Sequence, residues 1–253
     1  MLTLELAILS ERGGRTYNED ACGYWRAERQ ICCVLADGAG GHGGGDVASR
    51  LAVKELLGGF AATPSASGSE LLRLVRLTNQ AVLDGHVAGT AQQDMRTTIV
   101  CLVLDLIDGR AHWAHAGDSR LYWFRSGRLV ERTRDHSLVE SLVDAGVIRD
   151  DQTRAHPERS VLLSALGSDD EELELGSSRS SRVVAAGDVF LLCSDGVWEH
   201  IPDHDMERLL AQARSPQNWL AAIESEIQDA TQSRHSHDNY TALALWLDGT
   251  PDV

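Results

Sequence analysis

The first residues alternate. Leu2, Leu4, Leu6 and Ile8 interleave with Thr3, Glu5, Ala7 and Leu9, the two-residue period of a strand. Strand character returns at 21–27, 30–36, 97–106, 110–116, 120–125, 128–132, 188–194 and 239–247. Between some of these, Asp108-Gly109 and Ser126-Gly127 are short-turn dipeptides that close hairpins. The apolar spacing becomes helical over 45–60, 69–90, 137–145, 203–213 and 216–231. Asp203 and Ser215 stand where N-caps belong, and Pro216 fits a first helical position. Strands follow one another through hairpin-length joints, and helices come in pairs between blocks of strands. That order predicts an α+β layering, with antiparallel sheets covered on their outer faces by helices, and not an alternating βαβ chain. No low-complexity linker divides the sequence. The stretch 61–69 reads as a loop between two helices, so 1–253 is expected to form a single domain.

Composition narrows the chemistry. The formal net charge is -15, which repels a phosphate backbone and argues against nucleic-acid binding. The same excess suits a protein that concentrates divalent cations. Lys54 is the only lysine, so no phosphate-loop Gly-Lys-Ser/Thr motif exists. No apolar run approaches the ~20 residues of a membrane helix, and no basic region precedes the N-terminal apolar stretch, as a signal peptide requires. A cytoplasmic protein without membrane contact is expected. Cys22, Cys32, Cys33, Cys101 and Cys193 contain no C-x-x-C pair and are odd in number, which fits small buried hydrophobes and not a disulfide framework.

The acidic residues fall at strand ends. The apolar run 31–36 ends in Asp37-Gly38, and 189–194 ends in Asp195-Gly196. The strand 111–116 ends in Gly117-Asp118-Ser119, and Asp238-Asn239 opens the run 240–247. In an antiparallel sheet the end of one strand lies beside the start of its neighbour. Four carboxylates can therefore meet at one edge, where they need a cation or a proton. Oxygen ligands without Cys or His suit hard ions such as Mg²⁺ or Mn²⁺. Each Asp-Gly alone is also an ordinary turn. The glycine-rich stretch 38–45 joins a strand to a helix and by itself equally suggests a nucleotide site, but no acidic residue closes a second strand where a dinucleotide site expects one. Near the N-terminus, Arg15 offers a planar fork for phosphate oxygens, and Glu19 and Asp20 add two carboxylates.

In order along the chain stand Arg15-x-x-Asn18-Glu19-Asp20, Asp37-Gly38-x-Gly40-Gly41-His42, Thr97-Thr98, Gly117-Asp118-Ser119-Arg120, Asp135-His136-Ser137, Ser194-Asp195-Gly196 and Asp238-Asn239. Each motif is short; the ordered set resembles the metal-dependent Ser/Thr protein phosphatases of type 2C, in their bacterial stand-alone form. The resemblance implies a four-layer α-β-β-α sandwich, two packed antiparallel sheets flanked by helix pairs. It implies two Mn²⁺ or Mg²⁺ ions per chain, with a third, looser ion at Asp118 and Asp195. By motif, Asp37 bridges the two ions and the Gly38 carbonyl binds one of them. Asp195 and Asp238 hold the first ion, Glu19 faces the second, Asp20 orients waters, and Arg15 grips the substrate phosphate. His42 is the candidate acid for the leaving group, with a metal-bound water as its rival. The expected substrates are phosphorylated proteins, the counterpart is a Ser/Thr kinase, and a monomer is the default. The alternative is a phosphatase-like module that binds phosphoproteins with weak or no catalysis.

Some positions depart from the family pattern. Ala39 stands where bacterial relatives usually carry Met. Arg96 replaces the usual Gly before Thr97-Thr98 and is read as a surface change, with a second phosphate contact as the alternative. The segment 138–170 matches the flap beside the active site. Its Arg149, Arg154 and Arg159 are either solvated or available to an acidic or phosphorylated peptide.

Overall fold

A computed structural model describes residues 2–39, 43–178, 180–232 and 237–249. In chain order the strands are β1 Leu2–Glu11, β2 Asp20–Arg26, β3 Gln30–Ala39, β4 Arg96–Thr97, β5 Ile99–Asp105, β6 Arg110–Ala116, β7 Arg120–Arg125, β8 Arg128–Arg132, β9 Gly176–Ser177, β10 Arg182–Val183, β11 Asp188–Cys193 and β12 Tyr240–Gly249. The helices are α1 Gly45–Ala62, α2 Gly68–Asp84, α3 Leu138–Asp144, α4 Asp195–Trp198, α5 Asp203–Gln212 and α6 Pro216–Thr231, with a 3₁₀ turn at Asp150–Ala155.

One sheet runs β1-β12-β11-β7-β8, and the other runs β10-β6-β5-β3-β2 with β4 on β3 and β9 on β6. All these pairings are antiparallel. The continuous apolar runs have a simple cause: these strands are buried on both faces. In β3, Ile31, Cys33 and Leu35 enter the core between the sheets. The alternate residues Cys32, Val34 and Ala36 pack beneath α1 and α2 with Leu56, Phe60, Leu74 and Val75. In β11, Phe190 and Leu192 face the other sheet, while Val189, Leu191 and Cys193 meet Trp219, Ile223 and Ile227 of α6. Three stacked cores therefore separate four layers, and the expected α-β-β-α sandwich is the observed fold.

Local signals set the joints. Ser126 and Gly127 both take positive φ, 52° and 73°, as a two-residue hairpin twisted to match its strands requires. Ser215 caps α6 by accepting a bond from the Asn218 N–H, with Pro216 in the first turn. Asp203 is not a cap: Pro202 holds that position, and the Asp203 carboxylate pairs with Arg154 at 2.9 Å. All five cysteines are free. Burial pushes the Cys33, Cys101 and Cys193 thiols well up, which keeps them protonated and inert.

Candidate metal centre and phosphate site

The carboxylates meet at one edge of the sandwich, where the two sheets contribute facing strand ends. Asp37 lies in β3 directly opposite Asp20 of β2. Asp195 opens α4 just beyond β11, and Asp238 precedes β12 by two residues. A cavity of about 270 Å³ gathers Arg15, Glu19, Asp37, Gly38, Asp118, Asp195 and Asp238. Asp20 stands behind it, held by a Ser194 Oγ–H bond of 2.8 Å to its Oδ2.

The backbone around Asp37 is fixed from three sides. Its N–H donates to Thr98 Oγ1 at 2.9 Å, and its carbonyl accepts from Thr98 N at 2.8 Å and Thr97 Oγ1 at 2.9 Å. Gly38 N donates to the Glu19 carbonyl at 3.2 Å. Glu19 N in turn donates to Asn239 Oδ1 at 2.9 Å, which ties the two sheets together. Gly38 has no substitute here: a Cβ on it would lie 2.2 Å from the Gly45 carbonyl oxygen. Beside Asp195, a Cβ on Gly196 would lie 2.0 Å from the Asn239 carbonyl oxygen. The glycines after these aspartates let backbone from a second segment close the cavity wall.

Electrostatics show what the cluster needs. Asp37 and Asp195 keep some surface open to the cavity but are otherwise enclosed. Burial first, then repulsion from neighbouring aspartates, pushes both carboxyls well above the usual range. Burial raises Asp118 to about 7, helped by Asp135, and raises Asp20 to about 6 against the hydroxyls of Thr241 and Ser194. Glu19 rises for the same main cause, burial, with Asp46 adding to it. Glu19 Oε1, Asp20 Oδ1 and Asp195 Oδ1 are buried without a hydrogen-bond partner. Orphaned acceptors that repel one another fit divalent cations, and the oxygen-only donor set fits hard ions such as Mn²⁺ or Mg²⁺. The carboxylates line the cavity without closing into a ready-made cage: among the described residues no group of three or more His, Cys, Asp or Glu has that geometry.

Arg15 lies at the mouth and bonds Asp238 through Nη2 at 2.6 Å; both side chains are about half exposed. The guanidinium therefore stands beside a carboxylate to which the family resemblance gives a metal-binding role. His42 lies outside the described residues, as does His235. The flap arginines are engaged internally: Arg149 with Asp151, Arg154 with Asp203 and the Trp198 carbonyl, and Arg159 with Glu199 at 2.6 Å.

Sequence reasoning missed several supporting groups. Thr98, Ser160 and Leu162 also line the cavity. The Trp198 indole N–H donates to the Asp118 carbonyl at 2.9 Å, and Arg120 lies over that indole at 3.6 Å. Behind Gly117-Asp118, His136 and His115 stack with centroids 4.8 Å apart. His136 Nδ1 accepts from Gly117 N at 3.3 Å, and its own N–H donates to the Gly117 carbonyl. Thr98, Arg120 and His136 stand inside the ordered motifs, which give them no role, while Ser160, Leu162, Trp198 and His115 carried no such signal.

His115 gives a pH prediction. Its Nε2 lies 2.7 Å from the Arg134 carbonyl, which can only accept, so Nε2 carries a proton, while Nδ1 is buried without a hydrogen-bond partner. Burial, then the His136 ring, lowers it to about 4. The native state thus binds fewer protons than the unfolded chain between the folded value and the ordinary ~6.5. The stabilisation is complete above ~6.5 and is lost as pH falls towards the folded value, by up to about 3 kcal/mol. Urea unfolding of wild type and His115→Gln at neutral and mildly acid pH measures it. Equal losses on acidification in both proteins would refute the assignment.

The comparisons agree with this geometry. The family profile described as Protein phosphatase 2C matches residues 10–248. Protein phosphatase PhpP of Streptococcus pneumoniae is 32% identical over 216 residues, covering 82% of this chain and 84% of PhpP. Serine/threonine protein phosphatase PstP of Mycobacterium tuberculosis is 35% identical over 210 residues, 80% of this chain but 38% of that longer protein. The crystal structure of a PstP catalytic domain in complex with two manganese ions superposes with a TM-score of 0.81 at 28% identity, covering 98% of this chain and 100% of that one.

Proposed function

As the chain belongs to the protein phosphatase 2C family and is a metal-dependent serine/threonine protein phosphatase, we propose that the carboxylate cavity is where phosphoserine and phosphothreonine esters are hydrolysed. The observation that carries this is the set of buried, mutually repelling carboxylates with orphaned oxygens beside an exposed arginine. In this reading Asp37, the Gly38 carbonyl, Asp195, Asp238 and Glu19 hold two ions, and Asp118 with Asp195 offers a third position. Bound Mn²⁺ or Mg²⁺ supplies positive charge that acidifies water and stabilises phosphoryl oxygens. Asp20, anchored by Ser194, would orient the attacking water by accepting hydrogen bonds from it or its neighbours. Arg15 exchanges Asp238 for the phosphate, presenting its fork to two phosphoryl oxygens as negative charge develops. The leaving alkoxide takes its proton from His42 or from water.

The residues 138–170, with α3 and the 3₁₀ turn, act as a flap over the cavity; Ser160 and Leu162 reach its lining. The phosphoproteins are those of a serine/threonine kinase, since only phosphoryl transfer to hydroxyl side chains makes this substrate. We place the protein in the cytoplasm as a monomer. Among the described residues no helix is long and apolar enough to cross a membrane.

The test is hydrolysis of a phosphothreonine peptide in Mn²⁺, in Mg²⁺ and in EDTA. Turnover with either ion and none in EDTA is expected, and Arg15→Ala raises KM by roughly tenfold as one charge-assisted phosphate contact is lost. Turnover that survives EDTA would sink the reading.

A further inference from the structure

Beside the carboxylate cavity lies a second hollow of about 160 Å³, lined by Ala39, Arg96, Ser160, Leu162, Leu163, Ser164 and Ala165. Ala39, Arg96, Ser160 and Leu162 belong to its floor and walls, and Ser160 and Leu162 also line the metal cavity. A chain lying across one therefore reaches the other. Arg96 does not float at this rim. It pairs with Ala39 in β4, two residues beyond Asp37, and the next residue, Thr97, exchanges backbone bonds of 3.1 and 2.8 Å with Leu166 of the flap segment. Its side chain is exposed.

Arg96 also differs from the other cations nearby. Arg15 is paired with Asp238, Arg154 with Asp203 and Arg159 with Glu199. Among the described residues the Arg96 guanidinium has no carboxylate partner. In a chain of net charge -15 with five carboxylates in the adjoining cavity, an unneutralised cation beside the mouth is the local feature that attracts an anion. Next to it Leu163 is 53% exposed, an apolar edge on an otherwise polar rim.

Resting on the phosphatase reading above, we propose that Arg96 and this hollow set substrate choice: they select phosphoproteins carrying an anionic group close to the phosphorylated residue, with an apolar side chain beside it. Carboxylate and a second phosphate share the required chemistry.

The experiment uses a phosphothreonine peptide in which Asp, a second phosphothreonine or Asn is walked through the flanking positions on both sides. Each protein is its own reference, because the readout is the ratio of kcat/KM for the anionic peptide to that for the Asn peptide. Wild type favours the anionic peptide by about three- to tenfold at one position, the size of one partly exposed charge-assisted contact. Arg96→Gln brings the ratio to one, Arg96→Glu inverts it, and Arg96→Lys retains part of it. A larger ratio for phosphate than for Asp identifies the second phosphate as the preferred group. A flat ratio in wild type, or a preference that survives Arg96→Gln, overturns the assignment while leaving the phosphatase reading intact. Failure to cleave any of the peptides in Mn²⁺ removes both.

Discussion

Asp37→Asn abolishes metal-dependent turnover and makes the metal-free protein harder to unfold. The two effects have one origin. Burial first, and then the surrounding Asp20, Asp195, Asp118 and Asp238, push the proton affinity of the Asp37 carboxyl up. A neutral amide of the same shape removes that repulsion, a gain of roughly 1–3 kcal/mol in the absence of metal. The same change removes a carboxylate that would hold the ions in the proposed reading and costs activity by on the order of a thousandfold or more. Thermal unfolding in EDTA and in Mn²⁺ separates the terms. Wild type gains stability with ion concentration, ~2.7 kcal/mol at a hundred times Kd, and Asp37→Asn gains little. A variant with wild-type metal response, or one less stable in EDTA, would contradict the placement of Asp37 at the centre of the charge cluster.

Asp135→Ala destabilises the fold by about 3–5 kcal/mol, because it strands a buried cation. Arg120 is 3% exposed and meets Asp135 through Nε at 2.8 Å and Nη2 at 2.7 Å. Its Nη1 donates to Tyr122 Oη at 3.1 Å, and its plane covers Trp198. With Asp135 gone, the guanidinium keeps only a phenol oxygen and an aromatic face. For a domain of this size the midpoint falls by roughly 6–20 °C. Arg120→Met with Asp135→Leu recovers most of the loss, since no charge is then left unpaired. Calorimetry of the single and double variants decides it: a double variant as unstable as the single would mean that shape, not charge, holds this corner.

The layers were legible in the sequence because strands buried on both faces leave unbroken apolar runs bounded by turns. What escaped was irregular. The run 97–106 divides into β4 and β5 at Thr98, whose N–H leaves the ladder to hold the Asp37 carbonyl. The helical spacing over 69–90 ends at Asp84, and α4 is a four-residue turn of helix too short to show a period. The carboxylates were readable at the site because aspartates at strand ends carry a positional signal. What their anchors hold was not: Ser194 and Thr98 stand inside the ordered motifs, yet a hydroxyl or an indole such as that of Trp198 shows no partner until the other segment is known. The sequence offers Arg15 as a candidate phosphate contact, but nothing in it links that arginine to Asp238 across the fold.

The pairing of β1 with β12 from Leu2↔Gly249 to Glu11↔Tyr240 has a consequence for biosynthesis. β1 is synthesised long before its neighbour β12, and Asp238 and Asn239 arrive only with that neighbour. Until then β1 has an unpaired edge, a loop of nearly the whole domain stays open, and the carboxylate ring lacks one side. A nascent chain held short of β12 therefore binds metal poorly and cleaves nothing. Dephosphorylation is expected only once β12 has docked, and until then the chain depends on whatever shields exposed strand edges in the cell.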